Sequence, residues 1–420
     1  MPSRTLIRRS PLILTACAAL LAGFASPAQE FRRISIDDYR DKMAGAWLGQ
    51  MAGVGWGFPT EFIYLSEIIP LDKMPEWTPE TINQFDQDDL YVEMTFMKSL
   101  ETYGFDVSSR QAGIDFANSE YQLWHANGHA RGNLRKGIAP PDSGHPEFTK
   151  HADDIDYQIE ADFAGLIGPG LPNLGIELGE KFGCIMNYGD GIYGGQFMSG
   201  MYAEAFFESD INEIIEAGLR CIPAESQYAE CIRDVVKWHE ENPEDWEKVW
   251  HLLQAKYHES PEGRRFVCKE SEKGNIDAKL NGAYAVVGLL YGKGDLDQTI
   301  IIATRCGQDS DCNPASAAGV LATTLGRAKL PEKFTSALDS ETLFKYTAYS
   351  FTTLLEACET LARQAVLRSG GLIEKDDSGN EFLNIPVQTP KPGKFVQSWK
   401  AEPSTGSRYT DEERAKITAK

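Results

Sequence analysis

The chain is 420 residues long and carries 62 Asp and Glu against 41 Lys and Arg, a formal net charge of −21. Hydrophobic residues at 42% and charged residues at 25% are ordinary globular usage and exclude a wholly disordered chain. The acidic excess excludes a nucleic-acid binder working through a basic face. It leaves two readings of the carboxylates, a solvated surface and cation binding.

Residues 1–28 read as a secretory signal. Arg4, Arg8 and Arg9 precede an apolar run from Pro11 to Ala25, and Ser26-Pro27-Ala28 supplies the small residues of a cleavage site. A second reading is a lipobox, Leu14-Thr15-Ala16-Cys17, in which Cys17 becomes a lipidated first residue. The short apolar stretch before Cys17 favours ordinary cleavage. Either route exports the protein to the periplasm or beyond, and removing three arginines with no acid leaves the mature chain more acidic still. No later run of about 18 apolar residues is present to span a membrane.

Helical patterning dominates residues 35–368. Ser35 is a helix cap with Asp38 in the capping-box position. The helix it opens carries Gly45, Gly49 and Gly53 on one face, which points to close approach of a neighbouring backbone or to the floor of a site, since each costs about 1 kcal/mol against Ala. Further helices are expected over Asp89–Tyr103, Arg110–Asn118, Gly195–Phe207, Ile211–Arg220, Gln227–Glu240 and Asp245–Tyr257. Others follow at Asn281–Tyr291, Asp295–Arg305, Pro314–Leu325 and Ser340–Leu367. No sustained period-two alternation predicts a large sheet there. The fold class expected is all-α, a compact single-domain multi-helix bundle over 29–370. Residues 371–420 add a short hairpin, turning at Asp377-Ser378-Gly379-Asn380, and a Pro-, Lys- and Ser-rich flexible tail. Beyond Cys17 the cysteines are odd in number and form no CxxC pair, which disfavours a finger-type zinc site; Cys221 and Cys231 are the easiest disulfide pairing in an oxidising compartment.

Three acidic segments adjoin helix starts: Gly57-Phe58-Pro59-Thr60-Glu61, Asp86-Gln87-Asp88-Asp89, and Gly307-Gln308-Asp309-Ser310-Asp311-Cys312. A helix N-terminus offsets one surface acid by about 0.3–1 kcal/mol. Two pairs leading into apolar, small-residue helices call for more, and a hard divalent cation with oxygen ligands, magnesium in particular, answers that need.

The order and spacing of these segments resemble the ADP-ribosylglycohydrolase family, including its dinitrogenase-reductase-activating members. That family shows spaced glycines leading to G-x-P-x-E, then T-D-D-[ST], then G-x-D-[ST]-D-T before a small-residue helix. The resemblance covers roughly residues 35–330 and implies an all-α domain with two magnesium ions in a central cleft. By matched position, Asp88, Asp89, Asp309 and Asp311 would be metal ligands, with Gln87 and Cys312 at flanking ligand positions. Glu61 would be a ligand or acid/base group, and Glu61, Asp89 and Asp309 are the catalytic candidates. Gln87, Leu90 and Cys312 replace hydroxyl-bearing residues of the family pattern. Leu90 offers no ligand atom and a thiol suits magnesium poorly, which puts one of the two metal positions in question. Gln50 stands where the family often has Asp.

Other segments are candidate substrate contacts. The acidic stretch with Asp156 and Glu160 reads as a solvated face, but the apolar Phe163-Ala164-Gly165-Leu166-Ile167 that follows points Asp162, and with it Glu160 as an alternative, inward, and Asp162 is assigned to the pocket. Gly189-Asp190-Gly191 is a glycine loop opening a helix. Trp124, beside His125, Asn127, His129 and Arg131, is an aromatic platform for a sugar ring or else a core residue. The H-E-x-x-H, G-x-S-x-G and P-loop signatures are missing. The function expected is magnesium-dependent hydrolysis of a glycosidic bond, in an ADP-ribosyl conjugate, including ADP-ribosylated protein, or in an extracellular glycoside or glycan. The alternative is a non-catalytic member, since the family also includes lens crystallins.

Overall fold

The computed structural model describes residues 29–266 and 273–418. Residues 1–28, where the sequence reading placed a signal with Cys17, and Cys268 lie outside the described residues. A strand, β1 (Phe31–Ser35), runs directly into α1 (Ile36–Gly57). There follow α2 (Asp88–Tyr103), α3 (Ser109–Ala117), α4 (His125–Arg135), α5 (Asp156–Ile159), α6 (Asp162–Leu166), α7 (Pro172–Phe182) and α8 (Asp190–Ala205). The second half holds α9 (Ile211–Leu219), α10 (Gln227–Glu241), α11 (Trp246–Leu253), α12 (Ala278–Gly292), α13 (Leu296–Arg305), α14 (Cys312–Leu325) and α15 (Phe351–Arg368). The chain closes with β2 (Leu372–Lys375), β3 (Glu381–Pro386) and the single turn α16 (Asp411–Arg414). The fold is all-α with one small sheet at the margin.

Interior helices are apolar or small on every face. All of α12 is buried, as is nearly all of α14 and α8. The outer helices bury one stripe: in α10, Tyr228, Cys231, Ile232 and Val235 face inward at helical spacing. The glycine face of α1 meets α14 backbone to backbone. A Cβ on Gly45, Gly49 or Gly53 would stand 2.7, 2.4 and 2.3 Å from the carbonyl oxygens of Ala322, Ala318 and Pro314. Close approach is therefore the reason for the stripe, and it runs on to Gly57, whose Cβ would lie 2.0 Å from the Ser310 oxygen.

Ser35 caps α1 as its sequence predicts, accepting the Asp38 amide at 3.0 Å. The helix expected from Ser340 begins instead at Phe351, because Ser350 and Thr353 form a reciprocal capping box that fixes the start. The last turns expected of α11 are a π-helical segment, Gln254–Glu259. Helices α4 and α7, which carry internal glycines, are not among the helices expected from the sequence. In α7, Gly175 and Gly179 let Ser199 and Gln196 of α8 approach to about 2.5 Å of where a Cβ would sit. Tertiary packing overrides propensity there.

The hairpin forms, and β1 joins it in the antiparallel order β1-β3-β2, with Ile34 opposite Leu383. The expected flexible tail needs correction. Thr405 and Ser407 donate their amides to buried Asp142 at 2.9 and 2.8 Å, Ser398 bonds Asp153, and Arg110 Nε donates to Glu413 at 2.8 Å. These contacts tie residues 398–414 to the helical body. Cys221 and Cys231 are both free, buried thiols, donating to the Ala217 and Lys279 carbonyls rather than pairing with each other. No helix among the described residues is long and apolar enough to cross a membrane.

Candidate functional site

The α1–α14 contact places two loops side by side. After α1, a 3-10 turn (Phe58–Thr60) delivers Glu61, while Gly307 and Gln308, both at positive φ, turn the chain into Asp309-Ser310-Asp311. The loops are stitched by a 2.8 Å hydrogen bond between the Thr60 and Ser310 hydroxyls. The Phe62 amide donates to Gln308 O at 3.1 Å and the Gln308 amide to Tyr64 O at 3.0 Å. Asp311 caps α14, accepting the Cys312 amide at 3.0 Å. The start of α2 supplies Asp88 and Asp89 from a third direction, and Gln87 stands at the cap position without a side-chain cap bond.

Potential ligand atoms of Glu61, Asp309 and Asp311 lie within 4.8 Å of one another, as do those of Asp89, Asp311 and Cys312. Asp311 is common to both groups. Burial first, and then the charge of Asp311, raises Glu61 to about 8 and Asp88 to about 7. Asp89 and Asp309 are raised for the same two reasons, and Asp311 by its burial. The Asp89 Oδ1 and Asp309 Oδ1 atoms are buried without a hydrogen-bond partner, and no Lys or Arg among the described residues forms an ion pair with any of the five acids. Orphaned, mutually repelling oxygens from three segments fit a divalent cation with oxygen ligands. The Cys312 thiol is raised well above its usual value by burial and acts as a donor, 3.3 Å from Asp89 Oδ2.

Above these acids opens a cleft of about 440 Å³, whose lining includes Glu61, Gln87, Asp88, Asp309 and Cys312. Phe58, Phe62, Tyr91, Trp124, His125, Asp156 and Tyr346 complete much of its wall, and Trp124 is 48% exposed. Phe62, His125 and Tyr346 hold φ values of 50°, 37° and 63°, a backbone strain of about 1–3 kcal/mol each that the surrounding structure must hold. Lys345 also lines the cleft and bonds Asp86 at 2.5 Å.

Four expected substrate contacts are not brought to this cleft. Asp162 points into the core, accepting the Tyr202 hydroxyl at 2.8 Å. Gly189, Asp190 and Gly191 open α8 beneath the C-terminal strap. A Cβ on Gly189 would lie 3.1 Å from Ser398 Oγ, and one on Gly191 would lie 2.5 Å from the Ala152 oxygen. Their glycines answer backbone crowding there. The solvated-face reading fails for Asp156 and the inward alternative holds for Glu160, since both are buried: Asp156 accepts the Ala126 and Asn127 amides at 3.2 and 2.8 Å, and Asn127 bonds Glu160. Glu93 escaped sequence analysis altogether. It is fully buried one turn beyond Asp89 and accepts the Phe163 amide at 2.9 Å. The signal for it was an acid four residues after Asp89 among Leu90, Val92, Met94 and Phe96.

The helical body thus carries a carboxylate-floored cleft between helix starts, a candidate metal site. The chain belongs to the ADP-ribosylglycohydrolase family, whose model matches residues 35–369. Among solved structures it is similar to an ADP-ribosylglycohydrolase-related protein complex, with a TM-score of 0.52 and 15% identity, covering 79% of this chain and 100% of that one. At that identity the likeness establishes the fold alone. No curated protein matches the chain.

Proposed function

We propose that this protein is a magnesium-dependent hydrolase of a glycosidic bond. The observation that carries the reading is the convergence of Glu61, Asp88, Asp89, Asp309 and Asp311, from three separate segments, under one open cleft. Asp88, Asp89, Asp309 and Asp311 would hold the cations. When bound, magnesium supplies charge neutralisation and Lewis acidity at the sugar oxygens. Glu61 stands at the cleft surface, half-buried, and is the residue positioned to carry a proton to or from the reacting centre. Asp89 and Asp309 face the site with fixed negative charge, which favours a sugar carbon that develops positive charge as its bond breaks. Trp124 and Tyr346 present exposed rings on which a sugar face can stack. Gln87 and Cys312 border the acids, where Cys312 orients Asp89 through its thiol.

The family name supports an ADP-ribosyl substrate. The lining favours a neutral glycoside or glycan: Lys345 is its single Lys or Arg and is already engaged by Asp86, so a diphosphate would meet mostly carboxylates. The export signal read in residues 1–28 supports the same choice. A panel of ADP-ribosyl-arginine, ADP-ribosyl-serine and aryl glycosides, with and without chelator, tests both levels. Chelator-sensitive release from an aryl glycoside is the expected result. Turnover only of the ADP-ribosyl compounds would replace the substrate class. Absence of any turnover, together with no specific heat on magnesium titration, would leave the non-catalytic reading in its place.

A further inference from the structure

Two sets of potential ligands meet at Asp311, and they differ in chemistry. Glu61, Asp309 and Asp311 offer oxygen alone, whereas Asp89, Asp311 and Cys312 offer two carboxylates and a sulfur. The first set suits magnesium and the second does not, because magnesium takes oxygen ligands and a soft thiolate selects zinc over it. Cys312 is the first residue of α14 and lines the cleft, and its sulfur stands 3.3 Å from Asp89 Oδ2. Tetrahedral zinc, with sulfur at about 2.3 Å and carboxylate oxygen at about 2.0–2.2 Å, holds two such atoms roughly 3.5 Å apart. The thiol proton therefore bridges a pair already spaced for an ion that would take its place. Asp89 Oδ1 is buried and has no hydrogen-bond partner. Around the thiol, Ile155, Ile159 and Ile276 form an apolar wall of the same cleft, and their side chains bring no competing ligand atom.

We propose that the position formed by Asp89, Asp311 and Cys312 takes a borderline ion of the zinc class rather than magnesium, beside an oxygen-only position on Glu61 and Asp309. The inference rests on the metal-site reading above and concerns which ion the second position selects. Sulfur ligates as the thiolate, so zinc uptake releases the Cys312 proton to solvent. Two carboxylates and one thiolate fill three of the four positions of tetrahedral zinc and leave the fourth for a water or a substrate oxygen. Serine or threonine at position 312 would offer oxygen in place of sulfur, which makes this one side chain the determinant of ion choice.

The test uses purified, chelator-stripped protein titrated calorimetrically with zinc alone and with magnesium alone, and with cobalt as an absorbing substitute for zinc. Wild type should take up one zinc ion that excess magnesium does not displace, and its cobalt form should show a thiolate-to-metal charge-transfer band. Cys312→Ser should abolish that band and weaken zinc binding at least tenfold. Cys312→Thr should lose the band likewise while binding magnesium at least as tightly as wild type. Asp309→Asn should weaken magnesium uptake and keep the band. The proposal is overturned if the wild-type cobalt form has no sulfur band, or if magnesium displaces the zinc. A band that persists in Cys312→Ser would overturn it too, by placing the ion on another cysteine. A missing band beside chelator-sensitive turnover removes the zinc position alone and leaves the hydrolase reading standing. A Cys312-dependent band with no turnover of any glycoside or ADP-ribosyl compound supports the sulfur-ligated position and removes the hydrolase reading.

Discussion

The hydroxyls of Thr60 and Ser310, 250 residues apart in sequence, meet at 2.8 Å. The Thr60 hydroxyl donates its proton to the Gly57 oxygen at 2.8 Å and so accepts from Ser310, a contact that locks the Glu61 loop onto the Asp309–Asp311 loop inside the protein. Thr60→Val would leave the Ser310 hydroxyl buried and unpaired, at a cost of about 1–3 kcal/mol. Denaturant unfolding should register that loss, and magnesium affinity should fall with it, whereas Thr60→Ser should restore both. Unchanged magnesium affinity in Thr60→Val would separate the two loops functionally.

Asp309→Asn and Asp311→Asn should split stability from binding. Each removes one of several like charges crowded in a buried site, so the chelator-treated variants should melt at or above the wild-type temperature. The rise in melting temperature that magnesium gives wild type should disappear in both, and glycosidic turnover should drop by at least about two orders of magnitude, on the scale of a lost transition-state contact. A variant melting well below wild type in chelator would mean that these acids support the fold rather than strain it.

The metal-free protein should lose stability as pH rises. Glu61 and Asp88 bind protons more tightly folded, at about 8 and about 7, than at their ordinary values of 4.5 and 3.8. Their contribution is complete below those ordinary values and disappears as pH climbs through about 7 and about 8. Denaturation midpoints in chelator should therefore decline from pH 5 to pH 8.5. Saturating magnesium should flatten or reverse that slope, since cation binding favours the ionised acids.

Two glycine substitutions should act in opposite directions. Gly49→Ala would place a Cβ 2.4 Å from the Ala318 oxygen, and such overpacking typically costs about 1–3 kcal/mol. Gly132→Ala, also within a helix, meets nothing within 4 Å and should gain about 1 kcal/mol from propensity alone. Unfolding curves measured side by side decide the matter. A stabilised Gly49→Ala would contradict the backbone contact between α1 and α14.

Much of this architecture was legible because local chemistry and tertiary need agree. The helices Ile211–Leu219, Gln227–Glu241 and Leu296–Arg305 carry clean amphipathic stripes with Asp or Ser caps, and they form where the pattern predicts. The five acids of the cleft stood out because each adjoins a helix start that leads into apolar or small residues. The pattern failed where burial reverses the usual meaning of a residue. Asp156 and Glu160 sit in a dense acidic run that resembles solvated surface, yet they are held inside by Asn127 and two amides. Gly189-Asp190-Gly191 has the composition of a ligand loop, but it is the C-terminal segment at Ser398 that occupies the space above it.

The sequence by itself determined the helical class, the stripe of glycines on α1 and the identity of the acids beside the cleft, because periodicity, capping and clustered charge are properties of neighbouring residues. Only the tertiary structure decided which acids share a site, that residues 398–414 strap the body, and that His125 and His129 meet at the ring of His151. Those juxtapositions join segments tens to hundreds of residues apart, and their distances follow from how closely helices pack, which no local pattern encodes. The acidic excess thus divides into a solvated majority and a buried minority, and packing drew the line between them.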